Sequence, residues 1–274
     1  MMIFQPQVPQ IHQIRPSQWA FSIGGRVAHP LILSFWDLLA LPAVEQRSAI
    51  AAWAGSAGDQ APLIEEANWR GVTFETLLAA VDSAPDVRYA TIHASGRYST
   101  ILTLDQLRRA LLAYDKDDAM LAANDGFPAR LVAPGLAAYK QPKWVERVEL
   151  TAEPTGGFWE QRGEAVASPG AFDEALAPTI AQIDHMQERA SAGRPVTIAG
   201  RAFAGERAVA HVEISIDDGP WAALRVEQPL RTATARWSVA WTPPGPGAYA
   251  LRARAIDAAG DVSPAHTVIV HVDG

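Results

Sequence analysis

Trp19, Phe21 and Ile23 alternate with smaller or polar residues and run into Gly24-Gly25, with Val27 beyond. A period of two closed by paired glycines predicts a hairpin with one buried face. Ser34 then precedes Phe35, Leu38 and Leu39, with Asp37 at the third position and Pro42 beyond, which predicts a short N-capped helix. The stretch SAIAAWAGSAGD, from Ser48, reads as a small-residue strand entering a glycine-bearing loop. Phe74, Leu77, Leu78 and Val81 recur at helical spacing after Gly71. Residues 88–94 and 98–102 read as strands around Ser95-Gly96, and Thr103 with Gln106 forms a capping box for a helix whose Leu107, Leu111 and Leu112 face inward. A short buried strand over 131–133 and another from about Trp144 close this half.

From Pro195 the periodicity is all of strand type. Val196 and Ile198 alternate, as do Val212, Ile214 and Ile216, then Trp237, Val239 and Trp241. Tyr249, Leu251, Ala253 and Ala255 follow a Pro-Pro-Gly-Pro-Gly turn, and Val268, Val270 and Val272 close the chain. Short alternating strands at this spacing predict a β-sandwich of immunoglobulin type. The predicted class is α+β: a mixed α/β domain over 1–165, a linker over 166–194 rich in Ala, Pro and Glu, and the sandwich over 195–274. A length of 274 residues agrees with two domains.

Composition narrows the function. The chain is 49% apolar with nine Trp, enough for real cores. It has no run of eighteen apolar residues, so no membrane span is expected. The first residues, MMIFQPQVPQIHQ, lack a basic and then apolar leader, which makes the cytoplasm the expected location. Cysteine is absent, excluding disulfides, thiolate metal sites and Cys nucleophiles in this chain. The net charge of −7 arises in the first 193 residues, since eight basic and eight acidic side chains follow; this argues against nucleic acid as a partner. The seven His show no zinc-type spacing. Asp184-His185 is expected to be solvated. Phosphate-binding glycine loops and a serine nucleophile elbow are also missing.

One stretch concentrates chemistry. Residues 124–150 read NDGFPARLVAPGLAAYKQPKWVERVEL, with Gly126, Pro128, Pro134 and Gly135 shaping an irregular loop between strands. Into it fall Arg130, Lys140, Lys143 and Arg147, although the chain has only three lysines. Basic side chains gathered in an acidic half suggest an anion, against the alternative of a solvated face whose stems cover apolar surface.

The pattern GFPxRLVxPG followed by YKxxKWVxRVEL resembles the molybdopterin-binding domain of the sulfite oxidase family. So do the opening order from Trp19 to Pro42, the phrase Asn68-Trp69-Arg70-Gly71-Val72, and Gly157-Phe158-Trp159-Glu160 with Arg162-Gly163. IAGRAFAG, VEISIDDGPW and the stretch from Trp237 to Asp261 resemble that family's C-terminal dimerisation domain. The resemblance implies a molybdopterin cofactor contacted by Arg130, Tyr139, Lys140 and Lys143, a homodimer through the second domain, and a redox-protein partner. In that family a Cys-x-Gly-Asn loop gives the metal its thiolate. Here the loop reads Trp53-Ala54-Gly55-Ser56, and indole has no lone pair to give. Asp125 stands where sulfite oxidases commonly carry a cofactor-touching His. Trp53, Ser56, Asp125 and the lack of Cys together predict a degenerate, non-catalytic member acting as a structural or partner-binding protein. Two other readings stay open: an active molybdopterin oxidoreductase using oxygen ligands such as Ser56 or Asp59, and a binder of another anion in the same pocket.

Overall fold

The computed structural model describes residues 11–54, 61–158, 175–185, 190–228, 230 and 232–274. The expected hairpin is β1 (Ala20–Gly25) and β2 (Leu31–Ser34), with Phe21 opposite Leu33. Ser34 and Asp37 cap each other's backbone amides and open α1 (Phe35–Ala40). β3 (Val44–Ala54) and β4 (Ala61–Thr73) form one long antiparallel hairpin, and Thr73 caps α2 (Phe74–Ala79). Then come β5 (Tyr89–Ala94), β6 (Tyr98–Thr103), α3 (Leu104–Arg108), β7 (Leu111–Lys116), β8 (Ala119–Met120), β9 (Arg130–Val132) and β10 (Val145–Thr151).

These strands build two sheets. One has the order β2-β1-β10-β5-β6, with β1 parallel to β10; the other runs β3-β4-β7-β8, with β9 on the side of β7. Thr103 and Gln106 do form the capping box, but the helix ends at Arg108, and Leu111 and Leu112 belong to β7. The spacing from Leu107 to Leu111 mimics a helical turn. A strand buried on both faces shows a continuous apolar run that periodicity cannot separate from helix. The three α-helices have six, six and five residues, so the described fold is mostly β.

The second half comprises β11 (Ile180–His185), β12 (Ala190–Ser191), β13 (Val196–Phe203), β14 (Val209–Ile216), β15 (Ala222–Leu224), β16 (Ala235–Trp241), β17 (Gly247–Asp257) and β18 (His266–Asp273). Sheets of order β11-β13-β16 and β12-β18-β17-β14-β15 enclose one core, with Ile198 and Trp237 from the first meeting Val212, Leu251 and Val270 from the second. β11 and β12 lie within the segment expected to link the domains.

The β3–β4 hairpin joins the halves because its side chains alternate between two faces. Ala49, Ala51 and Ile64 pack on Ala177, Ile180 and Phe203 of the second half. Ile50, Ala67 and Trp69 pack on Leu111 and Val132 of the first. Polar ties reinforce the contact with the second half: Thr234 Oγ1 donates to Glu66 at 2.5 Å, and Ala49 N donates to Thr232 O at 2.7 Å. Among the described residues, no helix is long and apolar enough to cross a membrane.

Candidate functional site

Arg130 opens β9 opposite Ala113 of β7 and turns its side chain onto Trp69, itself wholly buried. The guanidinium carbon lies 4.7 Å from the indole ring centre, within cation–π range. Nη1 donates to Asp125 O at 3.2 Å and lies 3.9 Å from Glu65 Oε2. The side chain is only 3% exposed, and its buried Nε has no hydrogen-bond partner among the described residues. Lys116, opposite Trp69 on β7, reaches Glu65 Oε1 at 2.5 Å and Asp125 Oδ1 at 3.5 Å.

The turn at Ala123–Asp125 receives three of these donors. Trp144 Nε1 donates to Ala123 O at 3.0 Å, Lys143 Nζ to Asn124 O at 2.5 Å, and Arg130 to Asp125 O. Gly126 closes the turn with φ +109; a Cβ there would lie 2.8 Å from Lys143 Cβ and 3.1 Å from Arg130 Cβ. Only glycine lets these two side chains leave the loop together. The Phe127–Pro128 peptide that follows is cis.

The cluster thus holds Lys116, Arg130 and Lys143 against Glu65 and Asp125. Burial lowers the proton affinity of Arg130, and the two carboxylates only partly offset it. Burial, then the neighbouring Arg130 charge, likewise holds the Lys143 amine below its ordinary range. Burial pushes the Glu65 carboxyl up, but Arg130, Lys116 and Lys143 together outweigh it and hold the group below the usual glutamate range. At Lys116, by contrast, burial is outweighed by Glu65 and Asp125, which raise the amine's proton affinity, so the cations disfavoured by lost water are Arg130 and Lys143.

The other basic residues of the loop go elsewhere. Lys140 is 1% exposed and donates to Ile101 O at 2.6 Å, a tie to β6, while its ammonium lies 5.4 Å from the Tyr139 ring centre. Tyr98 OH donates to Tyr139 O at 2.5 Å. Arg147 is exposed and pairs with Glu149 at 3.2 Å. Asp184, read with His185 as a solvated fragment, pairs with Arg201 at 2.6 Å.

Trp53 lies opposite Pro62 near the tip of the β3–β4 hairpin and packs on the core shared with the second half. That is the face opposite Ile50, Glu65 and Trp69, so the indole does not fill the space beside Arg130. It lines a cleft of about 390 Å³ with Tyr139, Pro178, Arg207, Val262 and Pro264. Gly55, Ser56 and Asp59 lie outside the described residues. Among the described residues, no group of three or more His, Asp or Glu side chains is placed to hold a metal ion.

Glu65, Lys116 and Trp69 were not singled out as site residues from the sequence. Lys116 is one of three lysines, and that rarity was the available signal. Glu65 carried none, because its partners come from β7 and β9, far along the chain.

The first half is thus a two-sheet, mostly β domain with a buried cation cluster beside a constrained loop. Residues 6–159 match the model of the oxidoreductase molybdopterin binding domain, and the chain belongs to that family. The uncharacterized oxidoreductase YuiH of Bacillus subtilis is 32% identical over 54% of this chain and 72% of its own length. Mitochondrial sulfite oxidase of Mus musculus is 31% identical over 49% of this chain, but the match spans only 27% of that protein. The sulfane dehydrogenase SoxCD of Paracoccus pantotrophus shares the fold with a TM-score of 0.76, at 20% identity, over 93% of this chain and 71% of that one.

The donors present decide which parts of a molybdopterin site the chain can supply. A thiolate-held molybdenum does not fit, because the chain has no cysteine to supply the sulfur. Of the four residues expected to contact the cofactor, Arg130 and Lys143 face one turn, while Lys140 and Tyr139 are tied to β6. Arg130 Nε is a buried donor without a partner, as an anion site would leave it, yet two carboxylates already share the same cations.

Proposed function

We propose that this chain keeps the sulfite-oxidase-type molybdopterin-binding fold without oxygen-atom transfer through a thiolate-held metal, and acts as a structural or partner-binding protein. One observation carries the proposal. The residue at the expected thiolate position is Trp53, packed into the core between the two halves, in a chain with no cysteine at all. An indole there offers a metal no lone pair and packs against that core instead.

The partner-binding part of this reading takes the second half as an immunoglobulin-like module of the dimerisation type, within an α+β whole. It gives an isologous two-fold homodimer, with a redox protein as a further partner. Light scattering at micromolar concentration tests the dimer, and a monomer would count against it.

A second reading, binding of the organic pterin or another anion at Arg130 and Lys143, is favoured by the unpartnered Nε. One experiment separates the two. Molybdenum by mass spectrometry and pterin fluorescence after oxidative release are measured on protein from a host that makes the cofactor. Neither is expected in stoichiometric amount. Near-stoichiometric metal with pterin would overturn the degenerate reading and send attention to Ser56 and Asp59. Pterin without metal would favour the second.

A further inference from the structure

We propose that Glu65 is the resident anion of the Lys116–Arg130–Lys143 cluster, standing where a phosphate-like anion would sit, and that removing its charge turns the cluster into a site for inorganic phosphate. The inference rests on reading Arg130 and Lys143 as an anion-facing wall, and it does not depend on whether molybdenum is bound.

Register puts the carboxylate there. Glu65 lies opposite Ile50 in the β3–β4 ladder, on the face that carries Ala67 and Trp69. Its two oxygens address different cations: Oε1 is 2.5 Å from Lys116 Nζ and Oε2 is 3.9 Å from Arg130 Nη1. One group thus bridges two donors from β7 and β9, as two oxygens of a phosphate do. Glu66, one residue along, faces the second half instead, bound to Thr234 at 2.5 Å and Arg47 at 2.9 Å.

Among the described residues, three cations face two carboxylates in the cluster. Without the Glu65 charge, one carboxylate, Asp125, remains for all three. Those cations are partly or wholly out of water, where an unbalanced charge interacts more strongly than at the surface. Glu65 also satisfies the wall incompletely, since it stands 3.9 Å from Arg130 and, among the described residues, Nε has no partner. A phosphate has enough oxygens to reach Arg130 and Lys116 together, with Lys143 alongside. The wall can therefore hold an anion, and the chain supplies its own.

The test uses the full chain and sodium phosphate at ionic strength fixed with sodium chloride, read by calorimetric titration and by melting temperature. Wild type is expected to give no saturable heat below about 10 mM. Glu65→Gln is expected to bind phosphate at least about tenfold more tightly than wild type and to melt higher in phosphate than in matched chloride. Glu66→Gln, whatever its own stability, should like wild type show no saturable phosphate heat and no phosphate-specific rise in melting, and adding Arg130→Met to Glu65→Gln should abolish the gain. If the Gln variant is less stable, its rescue by phosphate is itself the readout. The proposal is overturned if Glu65→Gln binds no better than wild type with no phosphate-specific rise in melting, if wild type already binds as tightly, or if the double variant keeps the gain. Metal and pterin content of wild type reports separately on the degenerate reading.

Discussion

Replacing Arg130 by Met tests whether the buried guanidinium holds the fold together or is carried for a ligand. The substitution removes a cation–π contact at 4.7 Å over Trp69, about 2 kcal/mol when desolvated. It also removes the 3.2 Å bond to Asp125 O, for which about 1.5–3 kcal/mol is typical of a charged donor. Glu65 loses its strongest single neighbouring charge but keeps Lys116 at 2.5 Å. Against these losses stands the cost of burying the ion, several kcal/mol after relaxation, with one N–H left without a partner. Burial wins in the net proton affinity of Arg130, which is lowered despite both carboxylates. The charged form is therefore less comfortable here than in water. Met fills the space over the indole without that cost. The expected outcome is unchanged or slightly higher stability, up to about 1 kcal/mol, or a rise of up to about 4 °C in melting temperature. Scanning calorimetry and urea unfolding followed by tryptophan fluorescence measure it. A loss of about 2 kcal/mol or more would refute the reasoning and make Arg130 a structural residue.

Phe203→Ala removes a wholly buried ring from the core shared by the two halves; a loss of about 3–5 kcal/mol is expected in urea unfolding, and a loss under 1 would mean that this core does not couple them. Gly126→Ala places a Cβ at φ +109, 2.8 Å from Lys143 Cβ, so it should cost about 1–3 kcal/mol by the same assay, whereas a neutral result would show that the turn yields freely. Glu66→Gln tests acid sensitivity. Burial raises the Glu66 carboxyl, but Thr234 and Arg47 outweigh it and hold the group below the usual range. A carboxyl depressed in the fold contributes stability that is complete above its unfolded value, near ~4.3, and is lost as pH falls through the folded one. The Gln variant should lose about 1–2 kcal/mol at pH 7 and show a flatter decline below about pH 4.5; an unchanged slope in melting temperature against pH would contradict the assignment.

Much of the architecture was legible along the chain because it is written in local terms. The Ser34–Asp37 and Thr103–Gln106 capping boxes are decided by side chains three residues apart, and both form. Alternation at Val212, Ile214, Leu251 and Val270 marks strand faces, and those residues enter one core. The sequence also disclosed the lack of a thiolate, a statement about composition that folding cannot alter. Family membership was legible in the motif around Arg130, and the matched domain model agrees.

Tertiary structure decided what the motif residues touch. Four basic residues fall in one stretch of sequence, yet Arg130 and Arg147 lie on strands, only Arg130 and Lys143 face the same turn, Lys140 ties down β6 and Arg147 sits at the surface. Their directions depend on the left-handed Gly126 and on which strand lies beneath, neither of which a spacing rule contains. Pairing of β3 with β4 set Glu65 and Glu66 on opposite faces, one among cations and one against the second half. The same pairing turned Trp53 away from Arg130. Composition determined which chemistry this chain lacks, and long-range strand register determined which charges meet, because a one-residue step along a strand reverses the face a side chain takes.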